Sequence, residues 1–287
     1  MSVVAVTGGS GKLGRAVVRD LLEHGYDVVI LDRVAPADHL EHFTQVDLTD
    51  YGQVLGALSG IDDRTRGPVD AVVHLGAIPA PGRSPNAATF TNNITSTYNV
   101  FEAARTAGIT TVVWASSETV LGLPFQTPPP YVPVDEEYHP RPESAYSLAK
   151  TLEEEMAHQF ARWNPALKAI GLRFSNVMEP GDYAAFPSFE ADWAGRRWNL
   201  WGYIDARDGA QAVRRALEVE LTGVEVFIVA NADTVMTTPN AELLADQFPG
   251  VRLTREVGEH ETLLSIDKAR RVLGFEPQHS LRQPVQA

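Results

Sequence analysis

The first two-thirds of the chain alternates short runs of β-branched apolar residues with longer stretches of helical periodicity. The runs Val3–Thr7, Asp27–Leu31, Ala71–Leu75, Thr111–Ser116 and Ala169–Phe174 predict strands. They lack alternation of apolar and polar positions, as expected of strands covered on both faces. Between them, Lys12–Glu23, Gln53–Leu58, Ala87–Ala107 and Ser144–Trp163 predict helices. Repeated β-α-β order predicts an α/β fold: a doubly wound parallel sheet with right-handed crossovers.

Beyond about Gly171 the pattern loosens. Pro180, Gly181, Tyr183, Phe186, Pro187, Phe189 and Trp193 predict an irregular segment. A helix near Asp208–Glu220, a strand near Glu225–Ala230 and short C-terminal helices are expected to follow. This divides the chain into a sheet-forming portion, residues 1–170, and a small substrate-binding lobe, residues 171–287, interleaved with it. Ligands of open α/β sheets bind beyond the carboxyl ends of the strands, so the lobe is expected to close over that edge. The proline-rich stretch Pro124–Pro133 predicts a rigid loop that either frames the ligand or crosses the surface.

Composition narrows the partners. With 44% hydrophobic and 21% charged residues, the 287-residue chain is ordinary globular material. Its net charge of −13 opposes binding to a polyanion, so nucleic acid is not an expected partner. No stretch approaches the roughly 20 apolar residues of a membrane span, and the N-terminus lacks a signal-peptide pattern. The absence of cysteine excludes disulfides, thiolate catalysis and thiolate metal sites. A cytoplasmic enzyme is the simplest expectation. Pairs such as His39-x-x-His42 and Glu155-x-x-His158 occur among the eight histidines, but a pair alone does not make a metal site, and no metal is expected.

Thr7-Gly8-Gly9-Ser10-Gly11-Lys12-Leu13-Gly14 follows the first strand and opens the first helix. Gly8, Gly11 and Gly14 suit a backbone that turns sharply, approaches a pyrophosphate and packs its helix closely on the sheet. The helix start at Lys12 and Leu13 offers free N–H groups to phosphate. A P-loop is the rival reading, but Leu13 stands where a Mg²⁺-holding Ser or Thr is required. Asp32, at the end of the second strand, suits ribose hydroxyls and repels a 2′-phosphate, which favours NAD. Arg33 beside it is the feature that would serve NADP.

Tyr146 and Lys150, four residues apart, share one face of a predicted helix. A lysine cation there would favour the phenolate and let tyrosine act as a base. Trp114-Ala115-Ser116-Ser117 brings a serine to a strand's carboxyl end, where the ligand edge lies.

These motifs resemble the extended short-chain dehydrogenases/reductases, the NAD-dependent epimerase/dehydratase family with its Rossmann-type fold. The resemblance covers about residues 2–215. It rests on the glycine loop, Asp47-Leu48, His74-Leu75-Gly76-Ala77, the Asn92–Val100 segment, Ala115–Gly122, Arg141–Lys150 and Leu172–Asn176. It implies NAD as cofactor, with Asp47 on the adenine, Leu48 beside it, Leu75, Gly76 and Ala77 passing over the cofactor, and Asn93 supporting the site in contact with the cofactor. It implies that Ser117, rather than Ser116, holds the substrate oxygen, that Tyr146 removes its proton, and that Lys150 binds the nicotinamide ribose. Asn176 and Arg173 fall at expected substrate contacts. Helices 87–107 and 144–163 resemble the family's dimer-forming pair, which implies a homodimer.

The resemblance leaves the outcome of the reaction open. A dehydratase is disfavoured because Ser117-Glu118-Thr119 replaces the Thr-Asp-Glu of such enzymes. Nucleotide-sugar epimerases carry a diphosphate-gripping arginine where this chain has Trp201, and a larger C-terminal portion. A shortened lobe is similar to that of uronate dehydrogenases. The reading therefore leans towards a dehydrogenase of a sugar or sugar acid, with Arg83, Arg173, Arg196 and Arg197 as candidate anion contacts. A nucleotide-sugar 4-epimerase with tightly held NAD is the first alternative. A non-catalytic NAD(P)-sensing protein is the second, although such proteins often lose the tyrosine or lysine that this chain keeps.

Overall fold

The computed structural model describes residues 2–37, 42–60 and 68–282. Seven parallel strands form the central sheet: β1 (Val3–Thr7), β2 (Asp27–Asp32), β3 (Phe43–Gln45), β4 (Ala71–His74), β5 (Thr111–Ser117), β6 (Lys168–Phe174) and β7 (Gly223–Val229). Their order across the sheet is β7-β6-β5-β4-β1-β2-β3. The winding reverses between β1 and β4, and this switch point opens a crevice at the strands' carboxyl ends.

Helices cover both faces, as the unbroken apolar strands require. On one face, α1 (Lys12–Glu23) packs against α5 (Ala206–Glu218). Val17, Val18 and Leu21 of α1 there share a core with Val4, Val6 and Ile30 of the sheet. On the other face, α2 (Tyr51–Leu58), α3 (Asn86–Ala107) and α4 (Ala145–Trp163) bury Val54, Phe101 and Phe160 against Val3, Ala5 and Leu31. Successive strand residues serve opposite cores, so the middles of β1, β2, β4, β5 and β6 are apolar at every position.

Local chemistry sets the helix boundaries. Asp50 accepts from the N–H groups of Gly52 and Gln53, which starts α2 two residues before the expected Gln53. Ser144 is a cap rather than the first turn of α4: it accepts from the Ser147 N–H, and the Ser147 hydroxyl bonds back to the Ser144 N–H.

The expected boundary at residue 170 falls inside β6, and β7 returns to the same sheet. Short strands Val177–Met178 and Ile204–Asp205 pair beside the sheet's carboxyl edge. Two further helices, α6 (Asn240–Gln247) and α7 (Asp267–Leu273), complete the C-terminal region. The proline-rich loop buries Phe125, which meets Phe248 edge-on at 6.5 Å, and Tyr131–Val132 pairs with Arg252–Leu253. It braces the C-terminal region. Among the described residues, no helix is long and apolar enough to cross a membrane.

Candidate active site

A cleft of about 900 Å³ lies at the switch point, and both the glycine loop and the Ser-Tyr-Lys set line it. On the first side, Gly8 has φ +69°, and a Cβ on it would meet the Gly76 backbone at 2.7 Å. A Cβ on Gly14 would stand 2.1 Å from the Gly8 carbonyl oxygen. Only glycine lets the loop fold this closely against both its own helix and the 75–77 segment. Gly11 caps α1 without a side-chain hydrogen bond, so the first-turn amides at Lys12, Leu13 and Gly14 open on the cleft. Asp32 accepts from the Ser10 N–H at 3.1 Å and also lines the cleft. So do Arg33, Asp47, Leu48, Leu75, Gly76 and Ala77. Asp47 is held ionised below its ordinary range by hydrogen bonds from the Thr49 hydroxyl and N–H. An uncapped helix start, a glycine cradle and a carboxylate at the end of β2 together fit a dinucleotide.

On the second side, β5 delivers Ser117 and the inner face of α4 delivers Tyr146 and Lys150. The Ser117 hydroxyl is fixed by accepting from the N–H and hydroxyl of Thr119 at 3.1 and 3.0 Å, and it faces the Tyr146 phenol. The Lys150 ammonium lies 5.9 Å from the Tyr146 ring centre and donates to the Ala115 carbonyl and to Glu153, both at 2.8 Å. Lys150 pulls the phenol down as the spacing implied. Burial outweighs it, however, and the Tyr146 phenol stands above its ordinary value.

Two expected contacts are corrected. Arg173 is buried, and its Nε and Nη2 form a two-pronged pair with Glu154 at 2.9 and 2.8 Å. It braces β6 against α4 and does not line the cleft. Asn93 is wholly buried, and its amide spans the Ile78 N–H and carbonyl at 2.8 and 3.0 Å. It pins the segment after β4 instead of facing a ligand. Asn176 does line the cleft; with its amide oriented to satisfy its neighbours, its oxygen accepts from both terminal nitrogens of Arg196 at 3.1 Å. Trp201 is buried, donates to the Trp193 carbonyl and lies outside the cleft lining.

The sequence reading missed a polar cluster behind this wall. Glu118, beside Ser117, accepts from Ser175 at 2.6 Å and from Asn199 at 3.1 Å. Burial pushes its carboxyl up to about 7. Arg196 lies between the rings of Phe189 and Trp198, at 5.0 and 4.8 Å, and burial lowers its guanidinium to about 10. His74 bridges Thr7 and Thr97 at 2.7 and 3.1 Å. Burial, with Lys150 nearby, lowers it to about 3, so it stays neutral. No local signal in the sequence reveals this role for Glu118, because its partners lie as far as 81 residues away.

Comparison with known proteins places this geometry. The model of the NAD dependent epimerase/dehydratase family matches residues 4–230. A UDP-glucose 4-epimerase of Erwinia amylovora is 32% identical over 186 residues, covering 60% of this chain and 52% of that protein. One from Rhizobium leguminosarum bv. trifolii is 26% identical, covering 99% of this chain and 95% of that protein. Among solved structures, the Thermotoga maritima UDP-glucose 4-epimerase with UDP-glucose superposes with TM-score 0.72 at 24% identity, covering 97% of this chain and 94% of that one. A mutated uronate dehydrogenase gives TM-score 0.69 at 23% identity, covering 98% and 82%. These two likenesses establish the fold alone. The family match extends over most of the chain and takes in both sides of the cleft: the protein belongs to the NAD dependent epimerase/dehydratase family and is an NAD-dependent enzyme of the short-chain dehydrogenase/reductase type.

Proposed function

We propose that the protein oxidises a secondary alcohol of a sugar or sugar acid and releases the ketone or lactone. The observation that carries this reading is the convergence of Ser117, Tyr146 and Lys150 on the cleft into which the glycine loop opens. In this reading Ser117 holds the substrate oxygen, Tyr146 accepts its proton, and Lys150 favours the phenolate by its charge. The bound cofactor supplies the hydride acceptor. Gly8, Gly11, Lys12, Leu13 and Gly14 hold its pyrophosphate, with Asp32 on the adenosine ribose and Asp47 towards the adenine. A homodimer through α3 and α4 belongs to the same reading, since Tyr98, Leu148, Leu152 and Trp163 leave apolar surface exposed there.

A nucleotide-sugar 4-epimerase is the second reading, favoured by the near full-length match to the Rhizobium protein. Against it, among the described residues Trp198 alone lines the cleft beyond Val177, which supports a substrate smaller than a nucleotide sugar. Incubation with NAD and a panel of free sugars, sugar acids and nucleotide sugars separates the two. Net absorbance at 340 nm with a free sugar supports the dehydrogenase. Epimer formation from a nucleotide sugar without net NADH overturns it.

Of the four arginines considered as anion contacts, Arg83 is the one that lines the cleft, exposed on the loop after β4. Arg83→Ala is therefore expected to raise KM for an anionic sugar about tenfold, the scale of one charged hydrogen bond, with kcat unchanged. Equal KM values for variant and parent would remove Arg83 from substrate recognition. Asp32→Ser should weaken NAD on the order of tenfold and narrow its preference over NADP. Titration of both cofactors tests this; an unchanged preference would leave Asp32 only the task of holding Ser10.

A further inference from the structure

The inner face of α4 buries two carboxylates just beyond Lys150, Glu153 and Glu154. Glu154 is taken up by Arg173 and by the Ser116 hydroxyl, the latter at 2.5 Å. Glu153 is different: its side chain is 0% exposed and stands 2.8 Å from the Lys150 ammonium, itself 3% exposed. A buried charge is tolerated only when paired. Among the described residues no other carboxylate bonds Lys150: Glu154 lies near but is paired with Arg173, and the second bond of Lys150 goes to the neutral Ala115 carbonyl.

We propose that Glu153 is the counter-ion of Lys150, a positioning residue that keeps the ammonium charged and leaves its third N–H for the cleft. The proposal rests on the reading of Tyr146 as the base and Lys150 as its partner. An ammonium has three N–H groups; Ala115 and Glu153 take two, and Lys150 itself lines the cleft. Burial is the largest influence on Lys150 and acts to strip its proton, and Glu153 is the largest influence opposing it. The surrounding groups do not substitute. Tyr146 on α4 is a protonated phenol, Glu154 is committed to Arg173, and His74 from β4 is neutral. From α3, the Thr97 hydroxyl near Glu153 carries no charge, and Glu118 after β5 is held by Ser175 and Asn199.

The chain has only four lysines, at positions 12, 150, 168 and 268, so ε-¹³C-lysine NMR follows each amine separately. Lys150 is assigned by the signal lost in Lys150→Met. In the NAD-loaded protein, Glu153→Gln is expected to lower the Lys150 titration midpoint by roughly two pH units or more. The alkaline side of the kcat/KM profile should fall at correspondingly lower pH. Glu153→Asp, which keeps the charge, should titrate close to the parent. If Glu153→Gln titrates with the parent, the proposal is overturned.

Should Glu153→Gln fail to fold, Lys150→Met with Glu153→Leu supplies the test. Removing both charges leaves none unpaired, so this double variant is expected to fold. Its failure would assign Glu153 to packing alone. Full activity in Tyr146→Phe would instead strike at the underlying reading, and the NMR titration would still report on the pair.

Discussion

Tyr146→Phe is expected to lower turnover by about 10²–10⁴-fold, the range of a lost general acid–base group, while NAD affinity stays at the parent level. The ring of Tyr146 is buried against α4 and its neighbours, so phenylalanine preserves the packing. What disappears is the hydroxyl that faces Ser117. Ser117 and Lys150 keep their other bonds, to Thr119 in one case and to Ala115 and Glu153 in the other. Initial rates at 340 nm and a calorimetric NAD titration measure the two halves of this expectation. A variant that keeps full rate would assign proton removal elsewhere, and a loss of NAD binding in step with rate would make Tyr146 a cofactor contact first.

The second large effect concerns stability. Arg173→Leu is expected to cost about 3–5 kcal/mol, because it strands the Glu154 carboxylate with one hydroxyl for company inside the protein. For a chain of this size the melting temperature should fall on the order of 10 °C. Pairing it with Glu154→Leu should recover most of the loss, since neither charge then remains. Thermal unfolding of both variants, with KM for any substrate found, distinguishes this from a ligand-binding arginine. A variant with parental Tm and a raised KM would return Arg173 to the substrate site.

Strands β1, β2, β4, β5 and β6 were legible because a strand buried on both faces needs an unbroken apolar run. β3 was not: it is three residues at the sheet edge, Phe43–Gln45, with two of them exposed. The cleft residues of the glycine loop were legible because sequence neighbours supply the whole cradle. Arg173 and Asn93 were misplaced for the opposite reason. A polar residue on a strand or helix reveals its type, while its partner is chosen by packing; Arg173 found Glu154 on α4, and Asn93 found the backbone of Ile78. Glu153 carried a local signal that went unread, a carboxylate one turn beyond Lys150 on the buried face of an amphipathic helix.

During synthesis, β5 leaves the ribosome well before the strand that completes it. Thr111–Ser117 pairs with β4 through part of its length and with β6, residues 168–174, along its whole length on the other side. Until β6 arrives, that side of β5 is an open edge of unpaired N–H and C=O groups, a template for another chain. The face of the sheet that α1 covers also stays partly open until α5 is complete at Glu218. A nascent chain halted after α4 thus holds nearly all of its cofactor-facing residues in a half-built sheet that is prone to join its neighbours. The glycine loop is among the first segments made and among the last to sit in a finished fold.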